Sequence, residues 1–173
     1  MSICSFENYN FELICVIDEP LQGKKIDLGQ GSCAWWPCHI GSSTTIGKQV
    51  SIGALAHIGR NVNIGSQTRI QGGAYIADTT NIGESVFIGP NVVILNDKYP
   101  PSKNSTLWAP VQISSHAVIG GNTTILPGVI IGEQAVIGAG STVTKSVPSN
   151  EVWMGNPAQF HMTRQDYEKR RGA

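Results

Sequence analysis

Residues 46–70 read IGKQVSIGALAHIGRNVNIGSQTRI, with isoleucine at 46, 52, 58, 64 and 70 and glycine directly after the first four. Working outward, the same beat of six runs from Ile40 to Ile94 without a miss. It resumes through Ile113, Ile119, Ile125, Ile131 and Ile137, and ends at Val143. These two registers hold 15 of the 20 isoleucines. A helix repeats its apolar face every 3.6 residues and a strand every two, so neither alone produces the pattern. Two positions before each isoleucine the side chain is small or branched, as at Val50, Ala56, Val62, Thr68, Ala74, Thr80, Val86 and Val92. That is a short strand with alternate residues turned inward and a corner after each hexad. Glycine beside the isoleucine serves either an unusual backbone conformation or a close approach. Three such sides make a triangular coil of 18 residues. Successive coils pair as parallel strands about 4.8 Å apart. The phase reaches back through Leu28 and Ala34, giving a β-solenoid of about six coils.

The chain has 173 residues with 12 Lys plus Arg and 12 Asp plus Glu, so 14% are charged. An ordinary soluble domain carries about 25%. Zero formal net charge and the absence of long basic runs argue against a nucleic-acid binder, which gains affinity by neutralising phosphates. No apolar run reaches the roughly 20 residues of a spanning helix, and MSICSFENYNFE at the start carries acid where a secretory signal carries base. Cys4, Cys15, Cys33 and Cys38 contain no CxxC pair, so no metal site is expected among them and a reduced, cytoplasmic protein is.

The 19 residues from Ile94 to Ile113 break the count by one. LNDKYPPSKNSTLWAP between them is polar, proline-rich and without hexads, which predicts a loop at about residues 95–110 leaving the solenoid. A rigid frame interrupted once tends to place function at the interruption. Residues 1–158 are therefore expected to form one β-solenoid domain, and residues 159–173 a short helix and tail with Phe160 and Tyr167 as packing residues. Trp35, Trp36 and Trp153 are candidate end caps, and Trp108, Tyr75 and Phe87 candidates for burial against a partner.

The hexads, with VFIGPNVVILNDKYP at 86–100 and VIGAGSTVTKSVPSNEVWMGNPA at 136–158, resemble the hexapeptide-repeat acyltransferases. The order WWPCHIG, IGPNV, NDKYP is most similar to those that N-acetylate amino groups on nucleotide-linked sugars. The resemblance implies an all-β fold, a left-handed parallel β-helix of hexapeptide repeats with one extended loop and a short C-terminal helix. It also implies a homotrimer with active sites in the clefts between neighbours, acetyl-CoA as co-substrate and a UDP- or dTDP-linked amino sugar as acceptor, serving surface polysaccharide synthesis.

Acetyl transfer from a thioester needs a free amine held against the carbonyl, a donor for the developing oxyanion and an exit for the amine proton. Asn96 and Asp97 stand where the loop departs, and the resemblance puts an Asn there close to the reacting groups. Asn96 can donate to the sugar or the tetrahedral oxygen; Asp97 can orient the amine or accept a proton, or simply open the loop through an Asx turn. His39, His57, Tyr75 and Val93 share one column at a spacing of 18, and His57 is the alternative base. By resemblance, Ala117, Gly120, Ala135 and Gly138 line the pantetheine, Lys145 attracts the phosphates, and Asn156 and Pro157 border the adenine. Arg60, Arg69, Tyr99 and Lys103 are candidate contacts to diphosphate or base. Ser42, Arg60, Asp78 and Asn96 form a second column at the same spacing, and His116 stands in SSHAVIG at a third outward place. Three alternatives remain open at this point. One is O-acetylation of a sugar, or N-acetylation of a small xenobiotic amine, with a histidine base. The others are a zinc enzyme of the carbonic anhydrase type, lacking an evident third histidine, and a non-catalytic binding solenoid.

Overall fold

In the computed structural model, which describes residues 23–172, each hexad from His39 to Val143 gives a two-residue strand whose second residue is the isoleucine or its valine replacement. The strands stack into three parallel sheets, one per side of a triangular prism. Face I carries Ser51–Ile52, Arg69–Ile70, Phe87–Ile88, Val118–Ile119 and Val136–Ile137 in order. Face II carries His39–Ile40, His57–Ile58, Tyr75–Ile76, Val93–Ile94, Thr124–Ile125 and Thr142–Val143. Face III carries Thr45–Ile46, Asn63–Ile64, Asn81–Ile82, Gln112–Ile113 and Ile130–Ile131. The coil is left-handed. The right-handed rule for parallel crossovers comes from a helix packing back on twisted strands, and these corners contain no helix.

Inside, the isoleucines from Ile52 onward lie on one another buried, with Ile40 and Ile46 half-buried at the first coil and the residues two before them filling the corners. Thr68 is fully buried and satisfied: its hydroxyl donates to the Gly83 carbonyl at 2.9 Å and accepts from the Val86 N–H at 3.1 Å. No buried side-chain nitrogen or oxygen lacks a partner among the described residues.

The glycines after the isoleucines serve close approach. A Cβ on Gly65 would stand 2.4 Å from the Gly83 carbonyl carbon, and one on Gly53 would stand 2.4 Å from the Gly72 nitrogen. Positive φ falls elsewhere, three residues before most of the isoleucines, and mostly on other residue types: Gln49, Leu55, Asn61, Gln67, Thr79, Ser85 and Asn91. The N–H of that turn residue is held by the coil below, as from Asn61 to the Ser42 carbonyl at 3.0 Å and from Thr79 to the Arg60 carbonyl at 2.9 Å.

The ends depart from the repeat. Ala34 pairs with Ile52 and keeps the phase, but Leu28 lies in Lys24–Gly29, which turns back antiparallel on Ser32–Trp36. At the other end Trp153 takes the place above Ile137 and closes the core at 8% exposure, while Trp35 and Trp36 are exposed. Glu151–Gly155 and Ala158–Thr163 form an antiparallel hairpin, so Phe160, expected on the helix, is an exposed strand residue. The helix begins only at Arg164 and runs to Arg171, with Thr163 capping it through Asp166. Cys33 and Cys38 are free and half-buried, and burial pushes the Cys38 thiol up; Cys4 and Cys15 lie outside the described residues.

Gly65→Ala is expected to destabilise by about 1–3 kcal/mol through forced separation of two coils. Ile88→Ala should cost about 2–5 kcal/mol through its cavity. Thermal and denaturant melts of the two variants read both, and a neutral Gly65→Ala would sink the close-approach account.

Candidate active site

The solenoid is interrupted at the edge between faces II and III, where the chain leaves after Ile94 and rejoins at Gln112–Ile113. The loop's neck is pinned. Asp97 and Trp108 form an antiparallel bridge, the Ala109 N–H donates to the Asn96 carbonyl at 2.7 Å, and the Ala109 carbonyl accepts from the Gly128 N–H at 2.7 Å. Farther out, Asn104 caps the short 3-10 turn Ser105–Leu107.

Asn96 has a local reason to be asparagine. In the coils below, the carbonyls of Ser42 and Arg60 accept from the main-chain N–H of Asn61 and Thr79. Above Asp78 the chain is leaving, and the Asn96 side-chain amide donates to the Asp78 carbonyl at 3.3 Å instead. Its Oδ1 takes no hydrogen bond among the described residues, so the half-buried side chain keeps one acceptor for a ligand. Asp97 is engaged: its carboxylate accepts from the Tyr99 N–H at 3.0 Å and the Ser102 N–H at 2.9 Å, the Asx-turn arrangement. The Ser102 N–H first, then that of Tyr99, holds this carboxyl below its usual range.

Beside the neck is a cleft of about 440 Å³ lined by Arg60, Asn61, Asp78, Thr79, Ser105, Trp108 and Pro110. Arg60 grips Asp78 through Nε at 3.0 Å and Nη2 at 2.7 Å. Partial burial would raise the Asp78 pKa, but the Arg60 main-chain N–H and guanidinium outweigh it, with His57 adding to them, and the carboxyl lies low. Asp78 thus balances the Arg60 charge, while the guanidinium's remaining donors line the cleft with an indole, hydroxyls and an amide. Such a lining suits a planar polar group or a sugar.

The other expected residues fall in several places. His57 lies between His39 and Tyr75 on face II, with ring centroids 4.5 and 4.9 Å away and near-parallel planes. Its nitrogens make no hydrogen bond among the described residues. Tyr99 and Lys103 are exposed on the loop, with the Lys98 amine 5.6 Å from the Tyr99 ring centre. Arg69 stands on face I, away from Arg60. His116 occupies a turn at positive φ on the edge between faces III and I, rather than an outward strand position. Trp108, read from sequence as a partner contact, lines the cleft. The turn column Asn61 and Thr79, also at a spacing of 18, was the unread signal for this wall.

For a CoA thioester, Lys145, Asn156 and Pro157 fit best: all three are exposed at the C-terminal end. The Lys145 amine lies 5.1 Å from the Trp153 ring centre and pairs with no carboxylate among the described residues. Ala117 and Ala135 are fully buried, and their carbonyls already accept from the N–H groups of Phe87 and Val118. The N–H groups of Gly120 and Gly138 are likewise spent on Ile137 and Trp153. Among the described residues no cluster of three or more metal-binding side chains occurs, and no helix is long and apolar enough to cross a membrane.

This interrupted solenoid is the fold of a hexapeptide-repeat protein. The chain belongs to that family: the bacterial transferase hexapeptide pattern, as six repeats, matches residues 43–78 and 110–145. A search of curated proteins returned no match. Among solved structures the chain is similar to a variant of GDP-perosamine N-acetyl transferase from Caulobacter crescentus in complex with CoA and GDP-perosamine. That match has 23% identity and a TM-score of 0.66 over 75% of this chain and 56% of that one. It is similar to WeeI from Acinetobacter baumannii AYE at 26% identity and a TM-score of 0.65, over 75% of this chain and 57% of that one. AntD, an N-acyltransferase from Bacillus cereus in complex with dTDP and 3-hydroxybutyryl-CoA, matches at 18% identity and a TM-score of 0.68, covering 84% and 91%. The chain thus spans little more than half the length of the first two.

Asp97 is expected to hold the loop's first turn above its lowered pKa and to release it as pH falls through that value, because only the carboxylate accepts both N–H groups. The amide proton shifts of Tyr99 and Ser102 should therefore titrate together, with a midpoint below that of a free aspartate. Asp97→Ala should abolish the titration; a midpoint at the ordinary value would refute the assignment.

Proposed function

We propose that this chain is an acetyl-CoA-dependent N-acetyltransferase that modifies the amino group of a nucleotide-linked sugar, working as a homotrimer. The observation that carries the reading is Asn96, fixed at the loop's neck with one free acceptor beside a cleft that offers an indole, a guanidinium and several hydroxyl or amide groups. The family's hexapeptide pattern, and the CoA and nucleotide ligands named for the similar structures, support the same class.

In this reading the neutral amine nitrogen forms a bond to the thioester carbonyl carbon, the carbon–sulfur bond breaks, and the amine proton leaves to the departing thiolate or solvent. Asn96 Oδ1 accepts from the amine and orients it, while the second proton on its Nδ2 remains available to a developing oxyanion. Asp97 keeps the neck in shape. Arg60, with Tyr99 and Lys103 from the loop, meets diphosphate or base, and Lys145 meets the CoA phosphates. O-acetylation or xenobiotic N-acetylation through His57 is the competing account, favoured by the free imidazole nitrogens on face II.

Thiol release from acetyl-CoA, measured against UDP-, dTDP- and GDP-linked amino sugars, is expected to show turnover with at least one acceptor and none with the matching sugar that carries a hydroxyl in place of the amine. Asn96→Ala should lower kcat about 10²–10³-fold, the usual cost of an oriented donor. A thermal melt alongside separates this from loss of the Asp78 contact. A greater loss in His57→Ala, with Asn96→Ala nearly unaffected, would replace this account with the histidine one.

A further inference from the structure

The cleft beside the loop's neck brings one pair of opposite charges into a lining that is otherwise neutral. Among the described residues that form it, Arg60 is the one cation and Asp78 the one anion; the others offer hydroxyls, an amide, an indole and a proline ring. Lys98 and Lys103 stand exposed on the loop, outside this lining.

The pair is built into the frame. A Cβ on Gly59 would lie 2.5 Å from Asp78 Oδ1, so glycine at that corner is what lets the carboxylate sit over the coil below. There Oδ1 accepts from the Arg60 main-chain N–H at 2.8 Å, and Oδ2 accepts from Nε at 3.0 Å and Nη2 at 2.7 Å. The edge formed by Nε and Nη2, on which a guanidinium takes a carboxylate with paired N–H groups, is therefore occupied. The Asp78 main chain is fixed as well: its carbonyl accepts from the Thr79 hydroxyl at 2.6 Å and from the Asn96 amide at 3.3 Å. The Asp78 side chain is 19% exposed and that of Arg60 62%. The carboxylate is thus held largely out of water, and the guanidinium keeps its outer N–H groups for the nucleotide.

A carboxylate on the acceptor's sugar ring would find no unbalanced cation in this cleft. It would give up water for a place beside Asp78, whose charge repels it, while Arg60 is already in balance. An unpaired like charge is one way a site refuses a ligand and still holds its uncharged analogue. Hydroxyl and methyl substituents meet no such repulsion, and Ser105, Thr79 and Asn61 offer hydrogen-bonding partners to the former. We infer that Asp78 is a specificity-determining residue: with Arg60 it restricts the acceptor to a nucleotide-linked amino sugar whose ring is otherwise uncharged, and it turns away the amino-uronate of the same shape. This rests on the function proposed above, because the amine at Asn96 is what brings the sugar ring to the cleft.

Two matched sets of ligands test it. Thiol release from acetyl-CoA is measured with nucleotide-linked amino sugars and with the corresponding amino-uronates. Calorimetric titration with UDP-, dTDP- and GDP-linked hexoses and hexuronates that lack the amine reads the same choice without turnover. The wild-type chain should favour the uncharged member about 10²-fold, the scale of a like-charge contact. Asp78→Asn keeps the size of the side chain and the main-chain carbonyl that Asn96 uses, and should narrow this ratio at least about tenfold by lowering the KM of the uronate. Arg60→Gln leaves Asp78 unbalanced and should widen the ratio. The wild-type ratio decides by itself where either variant fails to fold. A wild-type ratio near one, a ratio unmoved in both folded variants, or a shift in the same direction in both overturns the selection, while thiol release in the same assays leaves the proposed function standing. Absence of both thiol release and binding with every nucleotide sugar overturns the function and the selection together.

Discussion

Everything in this molecule depends on how closely one coil can lie on the next. Parallel strands set the step at about 4.8 Å, and at that step the side chain stacked above an isoleucine must be another branched group of equal height, while the corner beside it has no room for a Cβ. Isoleucine answers the first requirement because its stiff, branched side chain keeps one shape in every coil. Glycine answers the second through the 2.4 Å approaches at Gly53 and Gly65. The left-handed turn conformation, often glycine's task, is delegated here to Asn, Gln, Ser and even Leu55, whose αL conformation costs roughly 1 kcal/mol or more. The chain accepts that cost at most of its corners and keeps glycine at a few of them, Gly73, Gly128 and Gly140, while the glycines after the isoleucines stand where a neighbouring coil leaves no room for a Cβ.

A frame built this way transmits position with little error, which is what the interruption after Ile94 exploits. The main-chain ladder that climbs Ser42, Arg60 and Asp78 would continue into residue 97, but the chain turns outward there. Asn96 replaces the missing main-chain donor with its own amide. One side chain thus repairs the ladder and fixes an acceptor beside the cleft. Asp97, next to it, converts its two oxygens into a turn, so adjacent polar residues do different work: one is poised at the cleft and the other shapes the neck. The same rigidity explains why the histidine and tyrosine rings on face II stack at a constant rise without any bond between them.

The repeat was legible because it is a local rule restated in every hexad. Spacing alone located the strands, the inward residues, the 95–110 excursion and the columns through His57 and Asn96. It left the purpose of the glycines divided between two explanations, since a sequence carries φ and interatomic approach in the same letter. Phe160 was misplaced onto the helix because a strand that returns antiparallel over Trp153 follows no hexad rule. Trp108 was read as a contact and not as a cleft wall because its neighbours, Arg60 and Thr79, are brought to it only by the bridge at the loop's neck.

The amino-acid sequence by itself determined the prism: period, core composition and the site of interruption all follow from residues that interact with their equivalents one coil away, while its left hand was expected only from the family resemblance. Only the tertiary structure decided which polar groups remain available. Whether Asp97 is free, whether Arg60 is paired and whether Ala117 can offer a carbonyl each depend on partners several coils or a whole loop distant, and hydrogen-bonding capacity is settled by such partners and not by residue type.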